Sequence, residues 1–217
     1  MIILEGVRKI LGAGGDRRPI IAGADMQIPT DRHIALLGPS REDKSIFINI
    51  LAGIILPTVG HIVRNARVSF PVGYLGGFAR GSSVRFNVSH VARLYGADVF
   101  GVTDFVEKIA DMGSSFNDPY EYLSKKAKKE IAKILAYSIP FDTYLLSEGP
   151  GSPGEKGLKT KTYALFEARA KTSGMIIATE DPKVALKHCD MALILRRGSL
   201  RLFDDVEQAL SIATRKK

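Results

Sequence analysis

The chain has 217 residues, 45% of them hydrophobic and 25% charged, with a single cysteine and a formal net charge of +8. That size and composition suit one large globular domain, or a domain with a small insertion, whose core needs no covalent staples. Cys189 alone excludes a disulfide framework and a cysteine-rich metal site, and no apolar run approaches the roughly 18–20 residues of a membrane span. The start, Met1 to Glu5, reads as a strand and lacks the basic flank and long apolar region of a signal peptide, so a cytoplasmic chain is expected. The positive charge suits nucleic acid or an anionic membrane leaflet, and equally an ordinary basic surface.

Strands are predicted over residues 2–11 and 19–28, joined by a glycine-rich turn from Gly12 to Pro19, and a third over 33–37. A buried helix follows from Ser45 to Ala52 and stops at Gly53. The next strand is expected over about 61–70, then a glycine-rich loop from Pro71 to Ser83. Helical patterns come at about 84–95, at about 102–112 opening on Asp104 with Glu107, and from Ser124 to about Ser138. They form a lobe without strands, inserted before a short apolar strand at 142–147.

A Gly/Pro-rich loop from Gly149 to Gly154 leads to a helix at about 159–171 and a buried strand from Met175 to Thr179. Asp181 and Pro182 are N-cap and first residue of the next helix. Strands at 190–195 and 199–203 form a hairpin about Arg197-Gly198, and Asp204 with Glu207 caps a last helix running into the basic tail Arg215 to Lys217. Apolar strands alternating with helices predict an α/β domain over 1–217, with a parallel sheet covered on both faces, an antiparallel edge, and an inserted helical subdomain at about 71–138.

The chemistry centres on Gly38-Pro-Ser40-Arg-Glu-Asp-Lys44-Ser45. A buried strand, a loop with G-x-x-x-x-G-K-[ST] spacing and an apolar helix together make a phosphate-binding loop, in which backbone N–H groups and a lysine face phosphate oxygens. Gly38, Ser40, Lys44 and Ser45 are the nucleotide-facing candidates, with Ser45 the magnesium ligand if ATP binds. Asp43 stands where the pattern has glycine, with Glu42 beside it, and both repel a polyphosphate. Arg41 and Lys44 are expected to offset them by pairing with them and filling the loop.

Glu148, at the end of a buried strand, is placed as a general base or as a simple strand-end residue, and Ser147 precedes it where an acid would hold the magnesium shell. Glu180 follows the next buried strand as a solvated residue or as partner for a lysine. Ser124 opens the inserted helix either as a phosphate-gripping serine or as the N-cap of a solvated lysine face formed by Lys125, Lys126, Lys128, Lys129 and Lys133. The four histidines show no ligand spacing.

In their order these stretches resemble the ATP-binding subunit of an ABC transporter, a P-loop NTPase fold, and are most similar to the ATPase subunits of capsular polysaccharide exporters. Pro71-Val-Gly-Tyr-Leu-Gly-Gly-Phe78, Val84-Arg-Phe86 and Val91-Ala-Arg-Leu-Tyr-Gly96 are similar to that family's Q-loop and the start of its helical domain. His188-Cys-Asp190 and Leu195-Arg-Arg-Gly198 resemble the segment after its switch histidine. Departures concentrate in the chemistry: Arg41, Asp43 and Ile46 in the loop, Leu11 for the adenine-stacking aromatic, Ala79 for the Q-loop glutamine, Lys125 for the signature glycine, Ser147 for the acid and Glu180 for the histidine.

The resemblance implies ATP and Mg²⁺ as ligands, a homodimer or a heterodimer with an intact ATPase subunit, Ser124 reaching across that dimer, and a membrane permease at the inner face of the cell membrane. The departures imply a subunit that has kept the fold and lost the reaction. An active ATPase energising polysaccharide export, and a free-standing regulator or nucleic-acid binder using helix 124–138, stand as alternatives, with no nucleic acid expected on the main reading.

Overall fold

The computed structural model describes residues 1–12, 17–151 and 157–214. The tip of the predicted Gly12–Pro19 turn, the second half of the Gly149–Gly154 loop and the basic tail 215–217 lie outside the described residues. The chain divides into two compact units, one made of 1–71, 141–149 and 173–217, the other of 72–140 and 150–172.

The first unit carries two sheets. Strands β1 (Ile2–Leu11), β2 (Arg18–Ile28) and β4 (Val59–Arg64) form an antiparallel sheet in the order β2-β1-β4. Strands β3 (His33–Leu37), β5 (Val68–Pro71), β6 (Thr143–Leu146), β7 (Gly174–Ala178), β8 (Met191–Arg196) and β9 (Ser199–Phe203) form the second, ordered β5-β6-β7-β3-β8-β9. All its neighbours pair in parallel except the β8–β9 hairpin at its edge.

The strand sequences explain the arrangement. β6 and β7 are buried at every residue and β3 and β8 at all but one, as strands covered on both faces must be, and they read as continuous apolar runs. Ile2, Leu4 and Val7 of β1 join Ile20, Ile21 and Ile28 of β2 in the core that also receives Phe47, Ile48, Ile50 and Leu51 from helix α1 (Arg41–Leu51). Helices α6 (Pro182–His188) and α7 (Val206–Thr214) complete the unit.

Two local expectations need correction in this unit. The strand expected over 61–70 is two strands in different sheets, because the chain leaves one sheet at Arg64 and enters the other at Val68. Arg64 fixes this departure by donating to the carbonyls of Leu51 at 2.7 Å and Ile50 at 2.9 Å, which satisfies the open C-terminal end of α1. Burial lowers the pKa of that guanidinium. The last helix takes its cap from Asp205, whose carboxylate accepts from the Gln208 N–H at 2.8 Å, and not from Asp204.

Gly60 lies where β4 meets β1 at φ +79°, and a Cβ there would stand 2.4 Å from the carbonyl oxygens of Glu5 and Gly6. Both the backbone conformation and the close approach demand glycine. Gly60→Ala is expected to cost about 2–4 kcal/mol in urea unfolding, from left-handed strain and overpacking together. A loss below about 0.5 kcal/mol, the range of ordinary surface changes, would reject the assignment.

The second unit is helical: α2 (Val84–Leu94), α3 (Val99–Ala110), α4 (Lys125–Ser138) and α5 (Leu158–Ala170), with short 3-10 turns at Gly113–Asn117 and Tyr120–Tyr122. Here too one boundary moves. α3 begins at Val99, since Asp98 accepts from the N–H groups of both Phe100 and Gly101 at 3.1 Å, while Asp104 and Glu107 lie within the helix. The nearer carboxylate captured the orphan donors first. α4 is capped as expected by Ser124, which accepts from the Ala127 N–H at 3.2 Å.

Candidate functional site

The crevice at the C-terminal ends of parallel strands is where α/β sheets place ligands. In the first unit β3, β6 and β7 end there, and a cleft of about 300 Å³ is lined by Arg41, Lys44, Ser147, Glu148, Thr179 and Glu180 among others. The structure thus brings the loop lysine, the strand-end glutamate and the residue after β7 to one opening.

The loop begins as the pattern requires. Gly38 follows β3 directly, and a Cβ there would stand 2.7 Å from the Leu195 carbonyl of β8, so a larger residue would force the two strand ends apart. Lys44 is 1% exposed and its ammonium donates to the Gly38 carbonyl at 3.0 Å. Ser45 is half-buried one position later on α1.

Between those points the loop is not a loop. α1 begins at Arg41, four residues ahead of the predicted start at Ser45. Ser40 is its N-cap at φ −120° and ψ 129°, and its hydroxyl accepts from the Asp43 N–H at 3.2 Å, while the Ser40 carbonyl accepts from the Lys44 N–H at 3.2 Å. Arg41, Glu42 and Asp43 all have higher helix propensity than glycine, and two carboxylates in the first turn favour the positive end of the helix dipole. The stretch that should have curled around a phosphate has wound into the first turn.

The expected pairing of Arg41 and Lys44 with Glu42 and Asp43 is also corrected. Neighbours on a helix at i,i+1 and i,i+2 do not face each other, so the charges reach elsewhere. Arg18 of β2 takes Asp43 at 2.7 Å and Glu42 at 3.8 Å. Arg41 donates to the Glu148 carboxylate at 3.0 Å, and Lys44 donates to Glu180 at 3.2 Å. Glu180 is therefore the lysine partner of the two roles open to it. The hydrogen bond that Arg18 donates to the Asp43 carboxylate raises the pKa of the guanidinium, and the Coulomb attraction of Asp43 adds to the rise. Arg18 carried no signal in the sequence, because only the pairing of β2 in the antiparallel sheet brings it to a loop 25 residues away.

A magnesium–triphosphate does not fit these residues as they stand. Two of the N–H groups that would face phosphate are spent on Ser40, and the described loop holds no residue at positive φ. The lysine ammonium already has two oxygen partners, and the position before Glu148 offers the neutral Ser147. Of the remaining predicted residues, Ser124 belongs to the helical unit. There Lys125 and Lys126 are exposed, but the lysine face is not wholly solvated. Lys128 donates to the Glu121 carbonyl at 3.0 Å with its ammonium 5.2 Å from the Tyr120 ring centre, and Lys133 pairs with Glu130. Cys189 is buried, and that burial, with the charge of Asp190, pushes its thiol up to about 12.

No protein-family model matches the chain. Among curated proteins it is 27% identical over 209 residues to the ATP-binding protein BexA of Haemophilus influenzae, covering 96% of both chains. It is 28% identical over 214 residues to the polysialic acid transport ATP-binding protein KpsT of Escherichia coli, covering 97% of each. It is 26% identical to the capsule polysaccharide export ATP-binding protein CtrD of Neisseria meningitidis, covering 96% of each. Among solved structures, the dimeric post-hydrolysis state of the ATP-binding cassette MJ0796 bound to ADP and Pi superposes with a TM-score of 0.72 at 17% identity, covering 93% of this chain and 97% of that one. The ATP-binding subunit of an ABC transporter gives 0.68 at 15% identity over 99% and 95%. The fold is that of an ABC cassette.

Proposed function

We propose, from the premise that this chain is a relative of the ATP-binding subunits of ABC transporters, that it serves a polysaccharide export system as a non-hydrolysing subunit. The similarity to BexA, KpsT and CtrD runs along nearly the whole of each chain, which supports an intact cassette and not a fragment shared between unlike proteins. Residues 1–217 act as one cassette domain on this reading, with the helical unit receiving the cytoplasmic ends of a permease. No described helix is long and apolar enough to cross a membrane, so attachment to the inner face is through that permease, aided by the basic surface on an anionic leaflet. A second copy, or an intact ATPase subunit, completes the pair.

The observation that carries the loss of hydrolysis is the wound first turn of α1, in which the Asp43 and Lys44 N–H groups are bonded to Ser40, and the Arg41–Glu148 ion pair at 3.0 Å adds to it. A general base has to be within hydrogen-bond reach of the proton it abstracts, and this carboxylate is engaged by a guanidinium from the loop itself. Hydrolysis of a phosphoanhydride depends on positioning and on neutralising phosphate charge, and Glu42, Asp43 and Glu180 add charge of the wrong sign.

Steady-state hydrolysis by the purified chain is expected to match that of Glu148→Gln and to stand at the buffer blank. Turnover that vanishes in Glu148→Gln would instead establish an active ATPase. Co-purification with a polysaccharide-export permease checks the partner, and a chain that recovers neither a permease nor an ATPase subunit from its native membranes would reject that half of the proposal.

A further inference from the structure

Arg41 and Lys44 of the loop, and Arg18 beside it on β2, are each met by a carboxylate of the same chain. Arg18 holds Asp43, Arg41 holds Glu148 and Lys44 holds Glu180. The first two guanidiniums are 47% and 69% exposed, and pairs of that kind contribute little. Lys44 is different. Its side chain is 2% exposed, and an ammonium removed from water needs oxygen partners or loses its charge. In a phosphate site those partners come with the ligand. Here they are the Gly38 carbonyl at 3.0 Å and the Glu180 carboxylate at 3.2 Å.

We infer that Glu180 is an internal counter-anion that stands in for phosphate on Lys44 and latches the cleft against polyphosphates. The inference deepens the non-hydrolysing reading and rests on it. The latch is built on both sides. Before Glu180, the Thr179 N–H donates to the Leu36 carbonyl at 3.3 Å, and the Thr179 hydroxyl accepts from the Asp181 N–H at 3.1 Å. After it, the Asp181 carboxylate caps α6 by accepting from the Lys183 N–H at 2.8 Å. The backbone at residue 180 is thereby tied to β3 and to α6, and its side chain lines the cleft and reaches Lys44. The Glu180 side chain is itself 62% exposed, so it can leave without disturbing packed atoms.

A polyphosphate entering this cleft has to displace a carboxylate from a buried ammonium, and it meets a loop already wound into a helix. Two obstacles of different kind predict a coupled result. Four proteins separate them: the unmodified chain, Glu180→Gln, the loop variant Arg41→Gly/Glu42→Ser/Asp43→Gly, and the combination of all four changes. The probe is magnesium tripolyphosphate in isothermal titration calorimetry. The unmodified chain is expected to give no heat of binding, and the combination to bind at least about tenfold more tightly than the loop variant, as release of a charge-assisted hydrogen bond predicts.

Equal affinities for the loop variant and the combination would overturn the latch and leave the non-hydrolysing reading standing. Tight binding by the unmodified chain would overturn both. A folded combination, by circular dichroism, that binds nothing would also overturn the latch. Should the loop variants fail to fold, thermal melts of Lys44→Met, Glu180→Gln and their double decide it. The double is expected to lose less in Tm than the two singles together, and additivity would reject the pair.

Discussion

Magnesium ATP at about 1 mM is expected to raise the Tm of this protein by less than about 1 °C. The number that gives this meaning is the linkage term. A cassette with a Kd of about 10 µM gains roughly 2.7 kcal/mol at a hundredfold excess of ligand, which for a chain of this length is a shift of roughly 5–11 °C. Such a shift cannot be missed. The expectation follows from the wound first turn, where the Asp43 and Lys44 N–H groups are already bonded to Ser40, and from the Lys44–Glu180 pair. A shift above about 4 °C that Lys44→Ala abolishes would mean that ATP unwinds the turn on binding and displaces Glu180.

The second large effect is expected in the helical unit. Glu130 is 3% exposed in the middle of α4, and its two carboxylate oxygens accept from Lys133 at 3.0 Å and from the Thr162 hydroxyl of α5 at 2.8 Å. The side chain of Lys133 is only 17% exposed. Taking one partner from a buried pair leaves the other uncompensated, so Glu130→Ala should cost about 3–5 kcal/mol in urea unfolding. Glu130→Met with Lys133→Met removes both charges and should recover most of it, because a well-packed apolar pair is often neutral relative to a buried ion pair. A loss under about 1 kcal/mol for Glu130→Ala would show that Lys133 turns out to water freely.

The position of this pair also accounts for how α4 and α5 keep their register. Arg169 of α5 donates to the Tyr137 carbonyl of α4 at 2.7 Å, and Tyr137 meets Phe166 edge-on at 6.4 Å between ring centres. The contacts join the two helices at two levels, Glu130 with Thr162 and Tyr137 with Phe166 and Arg169, so a slip of one turn would break all of them. Nothing in the spacing of Glu130 within a lysine-rich helix distinguishes it from a solvated charge.

Much of the architecture was legible from the chain alone. The uniform apolar runs of β3, β6, β7 and β8 identify strands covered on both faces, since period and polarity are local properties of the residues themselves. Ser124 and Asp181 were legible as caps for the same reason. The 61–70 segment was not, because Asn65 to Arg67 look like strand until one knows that residues on either side pair with different sheets. The helix starts at Val99 and Arg41 were misplaced because several short polar side chains competed for the same orphan N–H groups.

The stretch from Gly38 to Ser45 shows where the division falls. Sequence alone determined that the spacing of a phosphate loop is present and that Asp43 stands where the pattern has glycine, because spacing and residue type are read directly from the chain. Only the tertiary structure decided which residues that loop meets. Arg18, Glu148 and Glu180 reach it from 25, 107 and 136 residues away along the chain, Glu148 and Glu180 because strand order brings the ends of β6 and β7 to the side of β3, and Arg18 from β2 of the separate antiparallel sheet. Ion pairing between distant residues is a property of that sheet order, which no local pattern encodes.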